Sequence, residues 1–195
     1  MHGLINRSIQ CFVRDTYGLQ TWEEVTRIAE LEFVSFEAML PYEDALTYAV
    51  IDAISQLQAK PRNDIMEDIG TYLVSHDSVA AVRRLLRFGG EGFVEFLHSL
   101  DDLHDRVKLA VPDLDVPHLE LRDHTPGAFS LTCRSPYEGF GHVIVGLLRG
   151  IADDYGALVF LEHQGGQRGI ETIAINLADV SFTQGRSFVL SNKAG

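Results

Sequence analysis

Histidine has the widest chemical scope of the residue types in this chain, and eight histidines are present. Two of them, His98 and His104, lie on one predicted helix. His98 shares its face with acidic residues and is expected to face solvent. His104 follows Leu100 by four residues and precedes Val107 by three, which places it in the apolar stripe. An imidazole there either bonds a backbone carbonyl in the core or coordinates a heme iron, and helix geometry leaves both interpretations open.

Cys133 is the second candidate for chemistry, because it lies in an alternating apolar segment that predicts a strand. It could act as a second heme ligand, as a redox switch, or with His118, His124 and His142 as a zinc site, although the spacings match no zinc template. A buried free thiol on an apolar strand face is the structural alternative.

Motifs for the common kinds of catalysis do not occur in the sequence: it contains no phosphate-binding loop, no dinucleotide fingerprint, no zinc-protease motif and no nucleophile elbow. The formal charge of −12 makes nucleic acid and anionic membranes poor partners. No apolar run approaches the roughly 20 residues that a bilayer span needs, and the N-terminal segment lacks the features of a signal peptide. We therefore expect a cytoplasmic protein that is not an enzyme.

The elements that must position these residues change in type along the chain. Apolar residues at helical spacing predict six helices in the first part of the chain. The first spans about 5–17, and the second begins at a capping box, Thr21–Glu24. The other four span about Tyr42–Leu57, Ile65–Leu73, Asp77–Leu86 and Glu91–Ala110. Further along, the pattern predicts strands at Leu119–Leu121 and Phe129–Cys133, and then a helix from Phe140 that stops near Tyr155-Gly156. Two strands at 157–161 and 170–177 follow, around a turn at Gln164–Gln167. This order predicts an α+β fold, with an N-terminal helical subdomain followed by an antiparallel sheet that carries helices. We expect one domain over residues 1–182 and a polar tail at 183–195.

Four segments, in order along the chain, resemble the heme-NO/oxygen-binding (H-NOX) family, which includes the sensor domain of soluble guanylate cyclase. The opening MHGLINRSIQCFVRDTYG resembles the first helix of the family, and FLHSLDDLHDRV (Phe96–Val107) resembles the helix that carries its iron ligand. VPDLDVP keeps the family's proline spacing, and EGFGHVIVGLLRGIA (Glu138–Ala152) resembles the helix behind its distal pocket.

The resemblance implies a pocket between the two subdomains that holds heme b, with His104 as the iron ligand and Pro117 pressing on the porphyrin. It assigns the distal wall to Ile5, Leu73, Val143 and Leu147, which periodicity alone would assign to ordinary core packing. Family members that hold oxygen have a tyrosine where this chain has Val143. An apolar wall offers bound oxygen no hydrogen bond, so we predict binding of nitric oxide, more weakly of carbon monoxide, and not of oxygen. A hydroxyl of Tyr72 that turned inward would change this prediction.

The chain departs from the family at the Y-x-S-x-R motif, which contacts the heme propionates. The matching residues are Cys133, Arg134, Ser135, Pro136 and Tyr137, so that only the serine is kept. On a strand Arg134 would point to the opposite face unless a bulge re-aims it. Ser135, Tyr137 and backbone amides would then meet the propionates.

The resemblance therefore implies a heme-based gas sensor in which ligand binding breaks the bond between iron and His104 and releases its helix. The output is expected in a separate signalling protein, such as a histidine kinase, a cyclic-di-GMP enzyme or a chemotaxis protein. Two alternatives stay open, namely a protein-interaction module that holds no heme or another group, and a metal or redox sensor centred on Cys133.

Overall fold

The structure, a computed structural model, describes residues 1–76 and 90–178. The helix predicted at Asp77–Leu86 and the tail predicted at 183–195 lie outside these residues. The N-terminal helices are α1 (Gly3–Tyr17), α2 (Leu19–Ile28), α3 (Asp44–Gln58) and α4 (Arg62–Ser75). They are followed by α5 (Phe93–His98), a 3-10 turn (Ser99–Asp102), α6 (Leu103–Ala110), β1 (His118–Thr125), β2 (Ala128–Arg134), α7 (Phe140–Tyr155), β3 (Val159–Gln167) and β4 (Ile170–Leu177).

The four strands form one antiparallel sheet in the order β1-β2-β4-β3. Leu131 of β2 lies between Leu121 of β1 and Ile173 of β4. Because side chains alternate along a strand, this register turns Leu131 and Ile173 to one face, where both are buried. The predicted α+β class is confirmed.

Two apolar clusters make up the interior formed by residues 1–76 and 90–178. The first, which we call the helical core, is built by α1–α4 and includes Phe12, Trp22 and Ile54. The second, the sheet core, is built by α5, α6, α7 and the sheet, and includes Leu100 and Leu131. Helix α7 belongs to both, since Val143 packs in the helical core and Leu147 in the sheet core. The boundary between the two subdomains therefore runs along α7.

Helices α4 and α7 join the subdomains through a close crossing that depends on glycine. A Cβ atom on Gly70 would overlap the Val143 carbonyl, and one on Gly146 would overlap the Glu67 carbonyl. The Thr71 hydroxyl donates to the Gly146 carbonyl at 3.2 Å across the same crossing. Since only glycine lets the two backbones approach this closely, larger residues here would push the subdomains apart.

The capping box predicted to start the second helix is wrong. Helix α2 begins two residues earlier, at Leu19, after Gly18, whose φ of 92° ends α1 and turns the chain directly into α2. The Thr21 hydroxyl does not cap the helix, because it donates to the Tyr17 carbonyl at 2.9 Å.

The helix predicted over Glu91–Ala110 is also interrupted. A 3-10 turn, Ser99–Asp102, separates α5 from α6. The Ser99 hydroxyl donates to the Phe96 carbonyl at 2.7 Å, and the Asp101 carboxylate accepts from the Leu121 backbone N–H at 2.8 Å. Local and tertiary hydrogen bonds therefore tighten the helix where its apolar stripe gives no sign of a break.

The turn predicted at Gln164–Gln167 is wrong as well. Strand β3 continues through Gln167, and the hairpin turns at Arg168 (φ 56°) and Gly169 (φ 75°). Two successive residues with positive φ suit the twist of a two-residue hairpin loop. The glycines that suggested the earlier turn lie at a register shift between His163 and Gly166. Within residues 1–76 and 90–178, no helix is both long and apolar enough to cross a membrane.

Candidate functional site

His104 lies in the first turn of α6, and its side chain is buried with 6% exposure. Its Nδ1 lies 2.8 Å from the Val116 carbonyl oxygen, which can only accept a hydrogen bond. Nδ1 therefore carries a proton, and in the neutral ring this tautomer leaves the lone pair on Nε2. No hydrogen-bond partner for Nε2 is found among the described residues. A buried imidazole oriented by a carbonyl, with the other nitrogen free, is the arrangement that metal-binding histidines use.

The ring of His104 also stacks on the ring of His118, with centroids 3.5 Å apart and planes 24° apart. His118 is the first residue of β1 and is exposed. Pro117, immediately before it, is buried. The segment that leads into β1 thus supplies both the carbonyl and the aromatic ring that hold His104.

The predicted distal residues lie on three helices, α1, α4 and α7. Ile5 of α1 and Leu73 of α4 are half-buried at the edge of the helical core. Val143 and Leu147 of α7 are buried, with 8% and 7% exposure. All four are aliphatic, so they offer a bound ligand no hydrogen-bond donor.

Tyr72, whose hydroxyl would have changed the ligand prediction, is buried with 5% exposure. Its hydroxyl lies 2.6 Å from the Asp15 carboxylate on α1. Because an ionised carboxylate can only accept, the tyrosine donates its proton to Asp15. Its ring stacks on His76, with centroids 4.9 Å apart.

The segment that matches the propionate motif is split between two faces of the sheet. Cys133 is 1% exposed in the sheet core, whereas Arg134 is exposed and pairs with Glu120 at 3.4 Å. From Phe129 to Arg134 the pairing of β2 with both neighbouring strands is regular, so no bulge re-aims the arginine. Ser135 is buried, and its hydroxyl accepts from the Tyr137 backbone N–H at 3.1 Å.

Tyr137 is half-buried, and its electrostatic neighbours lie on α3 and in the segment before β1. Burial, together with the carboxylates of Asp44 and Asp115, raises the pKa of its hydroxyl. Tyr48 of α3 is close by, and its hydroxyl accepts from the Glu138 backbone N–H at 2.9 Å. The surroundings of Tyr137 are therefore more acidic than basic.

A heme site has an iron end and a propionate end, and the residues present fit the two ends differently. The iron end fits, because His104 is buried, oriented and free at Nε2. At the propionate end, the matched residues Cys133, Arg134, Ser135 and Tyr137 offer hydroxyl and backbone groups but no cation that is free of a carboxylate partner. A heme would be held mainly by its iron and its apolar faces.

A second group of polar side chains, which we call the Glu67–Glu171 cluster, was not predicted from the sequence. Glu67 accepts from Arg149 at 2.8 Å and lies 3.2 Å from His142 Nδ1. The His142 ring stacks on His163 at 3.9 Å between centroids, and His163 Nε2 lies 2.7 Å from Glu171. These residues come from α4, α7, β3 and β4, and no spacing in the sequence could have brought them together.

Glu171 anchors this cluster to the start of α7. The residue is 8% exposed, and its carboxylate accepts from the backbone N–H groups of Gly139 at 2.9 Å and Gly141 at 3.0 Å. A surface cavity of about 500 Å³ opens beside His142 and His163, and none of the residues predicted for the cofactor lines it. The cluster is therefore separate from the His104 site.

The zinc alternative receives no support from the geometry. Within the part of the chain that the structure describes, no three His, Cys, Asp or Glu side chains lie close enough to hold a metal ion together. Burial, followed by the charge of Glu171, raises the pKa of the Cys133 thiol to about 12. A thiol in that state is a poor nucleophile and a poor metal ligand at neutral pH.

Comparison with known families and sequences points to one class of protein. Residues 2–163 match the family model described as Haem-NO-binding. The chain is 27% identical over 154 residues to the soluble guanylate cyclase gcy-31 of Caenorhabditis elegans, an alignment that covers 79% of this chain and 22% of that protein. It is 24% identical over 155 residues to the soluble guanylate cyclase 89Db of Drosophila melanogaster, covering 80% of this chain and 23% of that protein. The chain thus spans less than a quarter of the length of these curated relatives.

Solved structures agree with the fold. The unliganded Fe(II) H-NOX protein from K. algicida superposes with a TM-score of 0.78 at 17% sequence identity, covering 92% of this chain and 97% of that one. The H-NOX protein from S. oneidensis in the Fe(II)NO ligation state superposes with a TM-score of 0.75 at 17% identity, covering 92% and 100%. At these identities the likeness shows the fold alone.

Proposed function

We propose that this chain, which belongs to the Haem-NO-binding family, is a heme-based gas-sensing domain that binds nitric oxide and, more weakly, carbon monoxide at an iron held by His104. The observation that carries the proposal is the buried His104 imidazole, whose Nδ1 is fixed by the Val116 carbonyl while Nε2 is free. Heme b bound there would supply an iron with one open position for a diatomic ligand.

The distal residues of this chain support the choice of ligand. Oxygen on a ferrous heme would carry partial negative charge that a hydrogen-bond donor stabilises, whereas nitric oxide needs little such help because its bond to ferrous iron is strong. Ile5, Leu73, Val143 and Leu147 supply no donor, and the Tyr72 hydroxyl is engaged by Asp15. We expect the ferrous protein to bind nitric oxide and not to form a stable complex with oxygen.

The position of His104 suggests how a signal would leave the site. The residue lies between the 3-10 turn, which is bonded to β1 through Asp101, and the segment that enters β1 at His118. A shift of His104 would therefore move α6 relative to the edge of the sheet. The chain would then have two conformations, and the bound gas would favour one of them. We propose that a signalling protein, such as a histidine kinase or a cyclic-di-GMP enzyme, responds to this change in the cytoplasm, and that the chain itself is not an enzyme.

Absorption spectra of the reconstituted ferrous protein under argon, nitric oxide, carbon monoxide and air test the proposal. We expect the Soret band to shift with the first two gases, and we expect air to oxidise the iron without a stable oxygenated spectrum. A Val143→Tyr variant places a hydroxyl in the distal wall and should slow that oxidation. Val143→Phe, which adds the ring at the same position without the hydroxyl, is the control. A stable oxygenated spectrum of the wild type would contradict the proposed selectivity.

One observation favours a second candidate function. Tyr137 lies among carboxylates and Arg134 pairs with Glu120, so neither of these two matched residues offers a heme propionate a free cation. A chain that holds no heme, or a less anionic group, would act as a protein-interaction module of the same fold. Protein purified from heme-supplemented cells separates the two, because it would then lack a Soret band.

A further inference from the structure

The contact between His104 and His118 is one of two close ring-on-ring histidine contacts in the part of the chain that the structure describes, and it involves the predicted iron ligand. The centroids lie 3.5 Å apart, within van der Waals contact, and the planes are nearly parallel. His118 begins β1 and pairs with Arg134 of β2, so its backbone is held by the sheet. The stacked ring is therefore supported independently of α6.

The stack and the hydrogen bond restrict different motions of the His104 ring. The bond from Nδ1 to the Val116 carbonyl fixes the direction of one ring atom but lets the ring swivel about the line of the bond. A ring against its face removes that swivel, because turning the imidazole would drive it into His118. Both contacts leave the Nε2 edge of the ring open.

We propose that His118 is a positioning residue for the iron ligand: it sets the plane of the His104 imidazole and keeps the ring in place when its bond to a metal is absent. This inference rests on the proposed function, since it assigns His118 a role at that same site. The stack offers the ring a stable place with or without the metal, so it affects both how tightly heme is held and how readily His104 leaves the iron.

The test compares His118→Ala, which removes the ring, with His118→Phe, which keeps an aromatic face and no nitrogen. His124→Ala is the matched control, because His124 is an exposed histidine on the same strand whose ring lies 2.8 Å from the Ser130 hydroxyl. The first measurement is nitrogen NMR of the His104 ring in the heme-free proteins. The second is heme affinity, with the frequency of the iron–histidine stretch in the ferrous proteins. Circular dichroism checks folding in each.

In His118→Ala we expect the His104 nitrogen NMR signal to be averaged over several ring orientations, and the frequency of the iron–histidine stretch to be lower. We also expect a roughly two- to tenfold loss of heme affinity, which corresponds to the loss of one aromatic pair. His118→Phe should restore all three toward the wild type, and His124→Ala should change none. The inference is overturned if His118→Ala matches the wild type, or if His118→Phe fails as fully as His118→Ala. If wild-type protein takes up no heme, the proposed function fails and the metal-related role of His118 fails with it. Wild-type heme binding with no effect of His118→Ala removes only the present inference.

Discussion

Replacement of Glu171 should lower the free energy of unfolding more than replacement of Glu67, the other carboxylate of the Glu67–Glu171 cluster. Its side chain is 11% exposed and bonds two backbone N–H groups at the start of α7 as well as the His163 ring. Hydrogen bonds to a charged group contribute about 1.5–3 kcal/mol each, and the recovered hydration of the carboxylate offsets part of the sum. We expect Glu171→Ala to lower the free energy of unfolding by about 3 kcal/mol, because it leaves donors unpaired at the base of α7.

Equilibrium urea unfolding of the heme-free protein, followed by circular dichroism, measures this loss. With a denaturant slope of about 2 kcal/mol per M, the midpoint should fall by about 1.5 M. Glu171→Gln keeps one carbonyl acceptor and should lose about half as much. Glu162→Ala, an exposed carboxylate on the neighbouring strand, is the control and should move the midpoint little. A shift for Glu171→Ala no larger than that of the control would refute the reasoning.

Three further predictions concern single side chains. In native protein Cys133 should resist alkylation at mildly alkaline pH, because burial raises the pKa of its thiol to about 12; mass spectrometry that finds it labelled before unfolding would contradict this. Burial acts to raise the pKa of Glu67, but the hydrogen bonds from Arg149 and His142 outweigh it and hold that pKa below its ordinary 4.5. The stability advantage of wild type over Glu67→Gln should therefore be complete at neutral pH and decline as the pH falls below 4.5, which urea unfolding at a series of pH values checks. Tyr137→Arg should tighten heme binding by roughly three- to tenfold, because it brings a cation to the propionate end; unchanged affinity in a heme titration would count against the assignment of that end.

Local patterns predicted the elements whose apolar faces are continuous. Helix α7 was recognised because Val143, Ile144, Leu147 and Leu148 recur at helical spacing, and it ends at Tyr155 as expected. The alternation of Phe129, Leu131 and Cys133 likewise predicted the buried face of β2. The spacing of apolar residues is enough to predict a helix or strand when one of its faces packs against the core.

Features that depend on tertiary contacts were not predictable in this way. The 3-10 turn before His104 leaves the spacing of the apolar residues unchanged, and it follows from bonds such as that between Asp101 and Leu121. The hairpin turn was placed at the wrong glycines, since the sequence offers Gly165, Gly166 and Gly169 and only the register with β4 distinguishes them.

The candidate site likewise has features that local patterns predicted and features that depend on tertiary contacts. The inward position of His104 followed from its place in the stripe, and its burial is confirmed. Its partners, Val116 and His118, lie 12 and 14 positions further along the chain, where no pattern marks them. The outward direction of Arg134 followed from strand geometry, because a regular β2 must place it opposite Cys133.

The most direct test of the account is the ferrous absorption and resonance Raman spectrum of a His104→Gly variant, recorded with and without added imidazole. We predict that the variant loses the iron–histidine stretch of the wild type and that free imidazole, filling the vacated position, restores it. A wild-type iron–histidine stretch in the variant without imidazole would show that another residue holds the iron and would contradict the assignment of His104.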